Sequence, residues 1–326
     1  MLYPLTFVPV FKERVWGGRN LERLYDKPLP PDKPIGESWE ITDRPDEVSV
    51  IANGPLAGHT LRWLMENHRR DVLGSEAPAT GPFPLLIKLL DAQETLSVQV
   101  HPPAEVAARL GGEPKTELWY IAEAAPDAAL FVGLRRGVTR QVFEAQLQAG
   151  KVAECLHRIP VGRGDVMFLP SGRLHAIGAG NVIFEIQQNS DTTYRVFDWN
   201  RVGLDGKPRT LHIAESLASI HFDDIEPSLI ASLYSRNRTF KVRYLVDHPL
   251  FRVDLCAVRR HGRFHLRGDC AQILGLVKGR LQLTHPAGDV TLGAGQFCLL
   301  PACLERVTIV AELQSEFLHV QSDSRA

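Results

Sequence analysis

Apolar residues along this chain fall mainly in short runs that end at glycine, proline or aspartate, the pattern of strands in a β-sandwich or barrel. The clearest strand predictions are residues 38–42, 48–52, 96–100, 117–122 and 182–186. Helical spacing is rarer and predicts helices at three places: residues 60–70 with Thr60 as the N-cap, residues 139–156 as two short helices broken near Gly150, and residues 211–220. The pattern therefore predicts a mainly β protein with a few short helices.

One pattern occurs twice along the chain. Residues 162–170 and 293–301 both begin with Gly-x-Gly, continue as an apolar run and end at proline. The upstream runs at residues 117–124 and 272–279 also match, each being a strand that leads into a turn. Repetition of one supersecondary unit predicts two related β-domains.

The boundary between these domains is predicted where the pattern loosens. Regular alternation fades between Asp223 and Asn237, and a second β-rich block starts near Phe240. We therefore predict an N-terminal domain of residues 1–235 and a C-terminal domain of residues 236–326.

The two copies differ in their polar residues. When they are overlaid, Gln272 stands where the first copy has Glu117, and Arg306 stands where it has His175. The second copy keeps the apolar positions of the first but not its polar, potentially catalytic residues. This difference predicts a single active site, in the N-terminal domain.

Four polar residues in the first copy form a candidate metal site. Because strand side chains alternate, Gln99 and His101 project from the same face of the run at residues 96–101. Glu117 opens the next predicted strand, and His175 ends a Gly-x5-Pro-x-Gly-x2-His segment. Two imidazoles, a carboxylate and an amide oxygen could enclose a divalent cation and leave one position open for substrate.

Several of these segments resemble known families. The Gly-x5-Pro-x-Gly-x2-His segment is similar to the second motif of the cupin superfamily. The zinc site of type I mannose-6-phosphate isomerases resembles three segments of this chain: Gln99-Val-His101-Pro102, Lys115-Thr-Glu117 and residues 171–178. Residues 185–199, Trp16-Gly-Gly and residues 36–39 fit the short bacterial branch of that family, and the detailed resemblance extends over residues 5–220.

The resemblance implies both a fold and an activity. The fold would be two cupin, or jelly-roll, β-barrel domains. One Zn2+ per chain would be bound by Gln99, His101, Glu117 and His175. The reaction would interconvert mannose 6-phosphate and fructose 6-phosphate through a cis-enediolate. Pro103 departs from the Pro-Asp-Asp of many short relatives and could alter substrate choice through the loop over the site.

The reaction that the resemblance implies needs a base and a stabilising cation. A base must move a proton between C1 and C2, and Glu185, Lys115 and Asp191 are the candidates. Lys115 would need a lowered pKa for this role. Arg195 suits contact with a phosphate or with the developing enediolate. A hairpin strand starting at Tyr194 would bring it beside the strand that carries Gln99.

Composition and charge limit the possible partners. A net charge of −1 over 326 residues offers no polybasic surface for nucleic acid or an acidic membrane, but it allows a small anionic ligand such as the phosphorylated hexose that the resemblance implies. No apolar run approaches the ~20 residues of a membrane span, and the N-terminus lacks the features of a signal peptide. The five cysteines are scattered and are expected to be buried fillers in a reducing compartment. We expect a cytoplasmic protein that is a monomer or a weak homodimer.

Two alternatives stay open at this stage. A cupin oxygenase would use iron, usually held by three histidines and a carboxylate, and Gln99 in place of a third histidine favours a redox-inert metal. A non-catalytic or regulatory sugar-binding cupin would be expected to lose ligands, as the second copy has. Metal content measured together with an activity test would separate the three functions.

Overall fold

The computed structural model describes residues 1–236 and 240–322. Strands in the first part of the chain are β1 (Phe7–Val8), β2 (Val10–Gly18), β3 (Ile35–Ile41), β4 (Val50–Ile51), β5 (Leu85–Ala92), β6 (Val98–Val100), β7 (Glu117–Ala124), β8 (Ala129–Leu134), β9 (Leu156–Pro160), β10 (Val166–Leu169), β11 (His175–Ile177), β12 (Asn181–Gln188) and β13 (Tyr194–Phe197). Strands in the second part are β14 (Ser235–Arg236), β15 (Phe240–His248), β16 (Phe251–Val258), β17 (Arg263–Leu266), β18 (Gln272–Lys278), β19 (Arg280–Thr284), β20 (Val290–Gly293), β21 (Phe297–Leu300), β22 (Val307–Ala311) and β23 (Ser315–Ser322).

Helices are short and lie between the strands. The α-helices are α1 (Asn20–Tyr25), α2 (Leu61–Asn67), α3 (Arg69–Leu73), α4 (Ala104–Ala107), α5 (Arg140–Gln148) and α6 (Ile213–Ser219), and Ala108–Leu110 and Val152–Cys155 are 3-10 helices. The mainly β prediction is confirmed. None of the helices in the described ranges is long and apolar enough to cross a bilayer.

The strands of the first part form two facing antiparallel sheets. One has the order β10-β7-β12-β5-β3-β2 and the other the order β13-β6-β11-β8-β9. Trp119 and Ile183 from the first sheet pack against Val132 and Ile177 from the second. Within the described residues no sheet closes on itself, so this half is an open sandwich and not the closed barrel that the sequence predicted.

The second part repeats this arrangement. Its sheets have the orders β14-β15-β16-β23-β18-β21 and β17-β22-β19-β20, and their facing sides enclose a core that includes Leu274, Leu283 and Ile309. The repeat found in the sequence matches the strand register: Glu117 pairs with Leu169 in the first copy, as Gln272 pairs with Leu300 in the second. The division at residue 235 stays a prediction, and residues 237–239 beside it, like residues 323–326, lie outside the described ranges.

The two halves share a hydrophobic core. Phe184 of β12 packs against Phe297 of β21, with ring centroids 5.5 Å apart. Leu5 and Leu299 exchange two backbone hydrogen bonds of 2.9 and 2.8 Å. The guanidinium of Arg243, on β15, donates to the backbone oxygen of Gly164 at 2.6 Å. These contacts join the two sandwiches into one packed body.

The predicted helices are present at the predicted places. Thr60 caps α2, because its hydroxyl accepts a hydrogen bond from the backbone N–H of Trp63 at 3.1 Å. Residues 139–156 contain α5 and a 3-10 helix separated near Gly150, which has a φ of +70°. Helix α6 lies within the third predicted range. The cysteine expectation is only partly correct, since Cys155, Cys256 and Cys298 are buried whereas Cys303 is exposed.

Candidate active site

Three short strands bring the predicted ligands together at one end of the N-terminal sandwich. His175 on β11 pairs with Gln99 on β6, and Arg195 on β13 pairs with Gln99 from the other side. The strand that starts at Tyr194 does run alongside the strand of Gln99, but it is not a hairpin partner of β12, because the chain crosses to the other sheet between them. His101 follows β6 directly, so its side chain lies on the same side as that of Gln99.

A carboxylate and two imidazoles converge on one point. His101, Glu117 and His175 are buried, and their donor atoms all lie within 4.8 Å of one another. The Nε2 atom of His101 is 3.6 Å from Oε2 of Glu117, and Nε2 of His175 is 3.4 Å from Oε1. Ligand atoms about 2.0–2.1 Å from a tetrahedral metal are separated by roughly 3.3–3.5 Å. The spacing therefore fits a metal ion of that size.

Backbone carbonyls orient both imidazoles. The Nδ1 atom of His101 is 2.8 Å from the oxygen of Thr192, and Nδ1 of His175 is 2.9 Å from the oxygen of Arg173. With the ring protons donated to these carbonyls, both Nε2 lone pairs point inward, as metal ligation requires. The Nε2 atom of His101 and both carboxylate oxygens of Glu117 are buried without a hydrogen bond. Buried acceptor atoms that converge without hydrogen bonds are free to act as ligands of a metal ion.

Burial and charge put these groups in the protonation states that a metal needs. Burial lowers the pKa of His101 and lowers that of His175 to about 3, so both rings are neutral. The pKa of Glu117 lies well below its usual value, since neighbouring Lys115 and His101 outweigh the opposing effect of burial. Neutral imidazoles and an ionised carboxylate bind a cation without first losing protons.

The fourth predicted ligand, Gln99, stands next to this group. Its Nε2 atom lies 3.2 Å from Nε2 of His175. A 180° flip of the Gln99 amide exchanges its oxygen and nitrogen atoms. After that flip, Oε1 would face the point at which the other three ligands converge. Gly172 supports the adjoining loop: its N–H donates to the oxygen of His101 at 2.8 Å, and its φ of +89° favours glycine.

A cavity of about 600 Å³ opens beside the metal group. It is lined by Gln99 and by all four predicted catalytic residues, Lys115, Glu185, Asp191 and Arg195. Its volume lies in the range of small-molecule sites. The structure thus brings the predicted residues to one cavity.

Glu185 is the most deeply enclosed of the cavity acids. Its Oε1 accepts a hydrogen bond from the indole of Trp119 at 2.8 Å, and Oε2 lies 3.4 Å from the ammonium of Lys88. Burial raises the pKa of Glu185 despite the nearby lysines. A carboxyl group held in this way is closer to exchanging a proton near neutral pH than an exposed one.

As the base, Lys115 would need a lowered pKa, and its surroundings in the fold act in the opposite direction. Burial does oppose the charge of this ammonium, but its Nζ lies 3.0 Å from Oε2 of Glu117, and Glu185 adds further negative potential. The pKa of Lys115 is therefore raised. Lys115 is a fixed cation beside the ligand group, so it is a poor candidate for the base.

Asp191 and Arg195 occupy the outer part of the cavity. Asp191 is exposed. The Nη1 atom of Arg195 donates to the oxygen of Thr210 at 2.8 Å, and its Nε is buried without a hydrogen bond. Among the described residues, no carboxylate lies within ion-pair distance of Arg195, so its guanidinium charge is not used in an ion pair.

A buried charge network near Glu185 was missed in the sequence. Lys88 stacks over the ring of Trp39 at 4.9 Å and lies 3.7 Å from Glu37, which in turn accepts a 2.7 Å hydrogen bond from Arg14. Burial raises and the cations lower the pKa of Glu37, with a net result of about 2. A signal existed, because Lys88 is the one cation in the apolar run of β5.

Comparison with known proteins agrees with this site. Residues 5–125 match the family model of the type I phosphomannose isomerase catalytic domain. The chain is 42% identical over 228 residues to the probable mannose-6-phosphate isomerase GmuF of Bacillus subtilis, covering 69% of this chain and 71% of that protein. It is 33% identical over 309 residues to the putative mannose-6-phosphate isomerase YvyI of the same organism, covering 94% and 95%.

A solved structure supports the same conclusion over nearly the whole length. The crystal structure of the mannose 6-phosphate isomerase from Bacillus subtilis matches with a TM-score of 0.89 at 30% identity, covering 98% of this chain and 99% of that one. Together with the ligand group beside the cavity, these similarities show that the chain belongs to the type I mannose-6-phosphate isomerase family.

Proposed function

We propose that this protein interconverts mannose 6-phosphate and fructose 6-phosphate and that it uses one Zn2+ per chain. The observation that carries the proposal is the convergence of His101, Glu117 and His175, with donor atoms of His101 and Glu117 that lack a hydrogen bond, beside a cavity lined by cations and a buried acid. Gln99 would complete the ligand set. This set contains two imidazoles and two oxygen donors, which suits a redox-inert metal.

The bound metal would act as a Lewis acid on the negative charge that develops on the O1 and O2 atoms of the sugar. The chain has to supply the proton transfer. Glu185 is the preferred base, because it lines the cavity, is held by Trp119 and has a raised pKa. It would take the proton from C2 of mannose 6-phosphate and return it to C1. Asp191, at the exposed end, is the second candidate.

Cations of the chain would stabilise the substrate. Lys115 keeps its charge beside Glu117 and could donate a hydrogen bond to a sugar oxygen. Arg195 pairs in register with Gln99, which puts its backbone close to the reacting end of the cavity. Its unpartnered Nε suits contact with the developing enediolate.

The two alternatives are less well supported. A cupin iron oxygenase usually supplies three histidines and a carboxylate, and the ligand group found among the described residues contains two histidines. A regulatory cupin would have lost the ligands that this chain retains. The assembly as a monomer or weak homodimer and the cytoplasmic location stay predictions from the sequence.

The proposal is tested by a coupled assay with mannose 6-phosphate. The purified protein is assayed as isolated, after chelation, and after readdition of Zn2+, with metal content measured each time. We expect one Zn2+ per chain, loss of turnover on chelation and recovery with Zn2+. Unchanged turnover in metal-free protein would overturn the metal assignment. Iron with oxygen uptake, or sugar binding without turnover, would favour one of the alternatives.

A further inference from the structure

The segment after β13 forms a small hairpin at the edge of the cavity, and we call residues 198–209 the flap. The backbone N–H of Gly203 donates to the oxygen of Lys207 at 2.8 Å, and Val202 bridges to Pro208. Residues at the tip and on the returning side of the flap line the cavity, namely Gly203, Leu204, Asp205 and Arg209. The flap therefore adds a wall to the cavity that the sheets do not provide.

One buried carboxylate holds the base of the flap. Asp198 accepts a 2.7 Å hydrogen bond from Nε of Arg209 and a 3.0 Å hydrogen bond from Nε of Arg201, and Nη2 of Arg209 also donates to it. Only Arg209 of these two arginines lines the cavity, whereas Arg201 extends towards Glu94, 3.6 Å away. Because Asp198 binds Nε and Nη2 of Arg209, Nη1 lies outside this ion pair.

The charge balance at the flap differs from that in the rest of the cavity. Lys115 is paired with Glu117, and Lys88 lies between two buried glutamates. At the flap, Arg201 and Arg209 share the buried carboxylate of Asp198, and among the described residues Arg195 has no ion-pair partner. Burial lowers the pKa of Arg195, and the nearby charge of Arg209 lowers it further. The cavity beside the flap therefore contains Arg209, which shares its carboxylate partner, and the unpartnered Nε of Arg195, while Asp205 of the flap also lines it.

We infer that Arg209, held by Asp198, is the flap-borne cation that binds the phosphate group of the substrate. A guanidinium offers a planar fork to phosphate oxygens, and a carboxylate that fixes its orientation reduces the entropy lost on binding. Asp198 is then a positioning residue, since it acts through Arg209. The ligand is a phosphomonoester, which rests on the proposed function, while Arg195 stays with the reacting end.

The chain offers a matched control for this inference. Arg201 shares Asp198 with Arg209 but does not line the cavity. Inorganic phosphate is titrated by calorimetry into the zinc-loaded wild type and into Arg209→Met, Arg201→Met and Asp198→Asn. Any binding of phosphate to the metal is common to all four proteins and cancels in the comparison.

We expect Arg209→Met to weaken phosphate binding by roughly 10-fold or more, the loss for one charged hydrogen-bond partner. Arg201→Met should leave the Kd unchanged, and Asp198→Asn should give a smaller loss than Arg209→Met. If Arg209→Met does not fold, Arg209→Lys replaces it, with the charge kept and the fork removed. Wild-type phosphate affinity in a folded Arg209 variant, or equal losses in the Arg209 and Arg201 variants, would overturn the inference.

Steady-state kinetics with mannose 6-phosphate separate this inference from the proposed function. Arg209→Met should raise KM with little change in kcat, because the phosphate is bound alike in the ground and transition states. A wild type that binds phosphate through Arg209 but has no isomerase turnover would contradict the proposed function and still support the phosphate site. An active wild type whose Arg209→Met variant keeps both Kd and KM would sink only the inference.

Discussion

The two halves of the molecule use the same pair of strands for different purposes. Glu117 and Gln272 occupy the same register position, each opposite a leucine of the following repeat strand. Gln272 is fully used: its Oε1 accepts from Nε2 of His319 at 2.8 Å, and its Nε2 donates to the oxygen of Arg267 at 2.6 Å. Both oxygens of Glu117 lack a hydrogen bond. The buried polar atoms at the Gln272 position are hydrogen-bonded, as in a structural site, whereas those at the Glu117 position are left for a ligand.

The difference also shows what the fold needs and what the chemistry needs. Each half keeps a buried apolar core between its sheets, so the sandwich does not depend on which polar residues stand at its end. In the C-terminal half a histidine and a glutamine bind each other. In the N-terminal half an acid and two histidines face a common point, and Lys115, 3.0 Å from Glu117, offsets part of the cost of burying that carboxylate.

The strongest way to break this comparison is to remove one histidine from each half. His175→Ala removes a proposed ligand, so metal affinity should fall at least roughly 100-fold, and turnover should be lost. His319→Ala, the matched variant, should keep one metal per chain and normal turnover. Metal analysis and the coupled assay measure both effects. Two tightly bound metals in the wild type, or full metal content in His175→Ala, would contradict the assignment of the site.

Acid titration tests the role of His319 in the C-terminal half. Burial lowers the pKa of His319 to about 4, below the value of about 6.5 in an unfolded chain. Between these pH values the unfolded state binds the proton and the folded state does not, so stability falls as pH drops from 6.5 to 4. The contribution of this group is roughly 3 kcal/mol.

The measurement is the free energy of unfolding of the metal-free protein at pH 7 and pH 4.5. His101 and His175 also contribute to the slope, so the test is the difference between the wild type and His319→Gln. The variant should lose stability less steeply on acidification. An identical pH dependence in the two proteins would mean that folding does not lower the pKa of His319.

Arg195→Ala separates chemistry from metal binding within the N-terminal half. The loss in kcat/KM should be at least roughly 2 kcal/mol, the scale for a charged hydrogen-bond partner. Metal content should stay unchanged, because arginine is not a ligand. We expect most of the effect in kcat, in contrast to the KM effect of Arg209→Met. Near-normal kcat and KM would show that Arg195 only supports the backbone at Thr210.

The smallest expected effect concerns the contact between the halves. Arg243→Met removes the hydrogen bond to the oxygen of Gly164 and should lower the free energy of unfolding by about 1 kcal/mol. Turnover at 25 °C should not change, since Arg243 does not line the cavity. A large loss of activity in a stable variant would show that the C-terminal half influences the active site.

The sequence was most informative where chemistry follows from strand periodicity. Alternation along β6 places Gln99 and His101 correctly, and the overlay of the repeats gives the register of Glu117 and Gln272. The closed barrel was not obtained, because alternation specifies the two faces of a strand but not whether the edges of a sheet meet.

Properties that depend on distant neighbours could not be predicted. The pKa of Lys115 rises mainly through Glu117, and folding adds the negative charge of Glu185, seventy positions along the chain. Lys88 becomes part of the site only because β5 lies between β3 and β12, next to Glu37 and Glu185. Arg209 lies in a loop without periodicity, and its place in the cavity depends on one ion pair with Asp198.

The hydrogen bonds between Leu5 and Leu299 have a consequence for how the chain folds. The segment around Leu5 is made early by the ribosome, yet its partner strand β21 is completed almost three hundred residues later. Contacts of such high sequence separation form late, because the loop entropy must be lost before they stabilise anything. During synthesis, the apolar residues near Leu5 therefore stay partly exposed until β21 has been made. Until the core is complete, these exposed apolar residues favour aggregation, which chaperones would oppose.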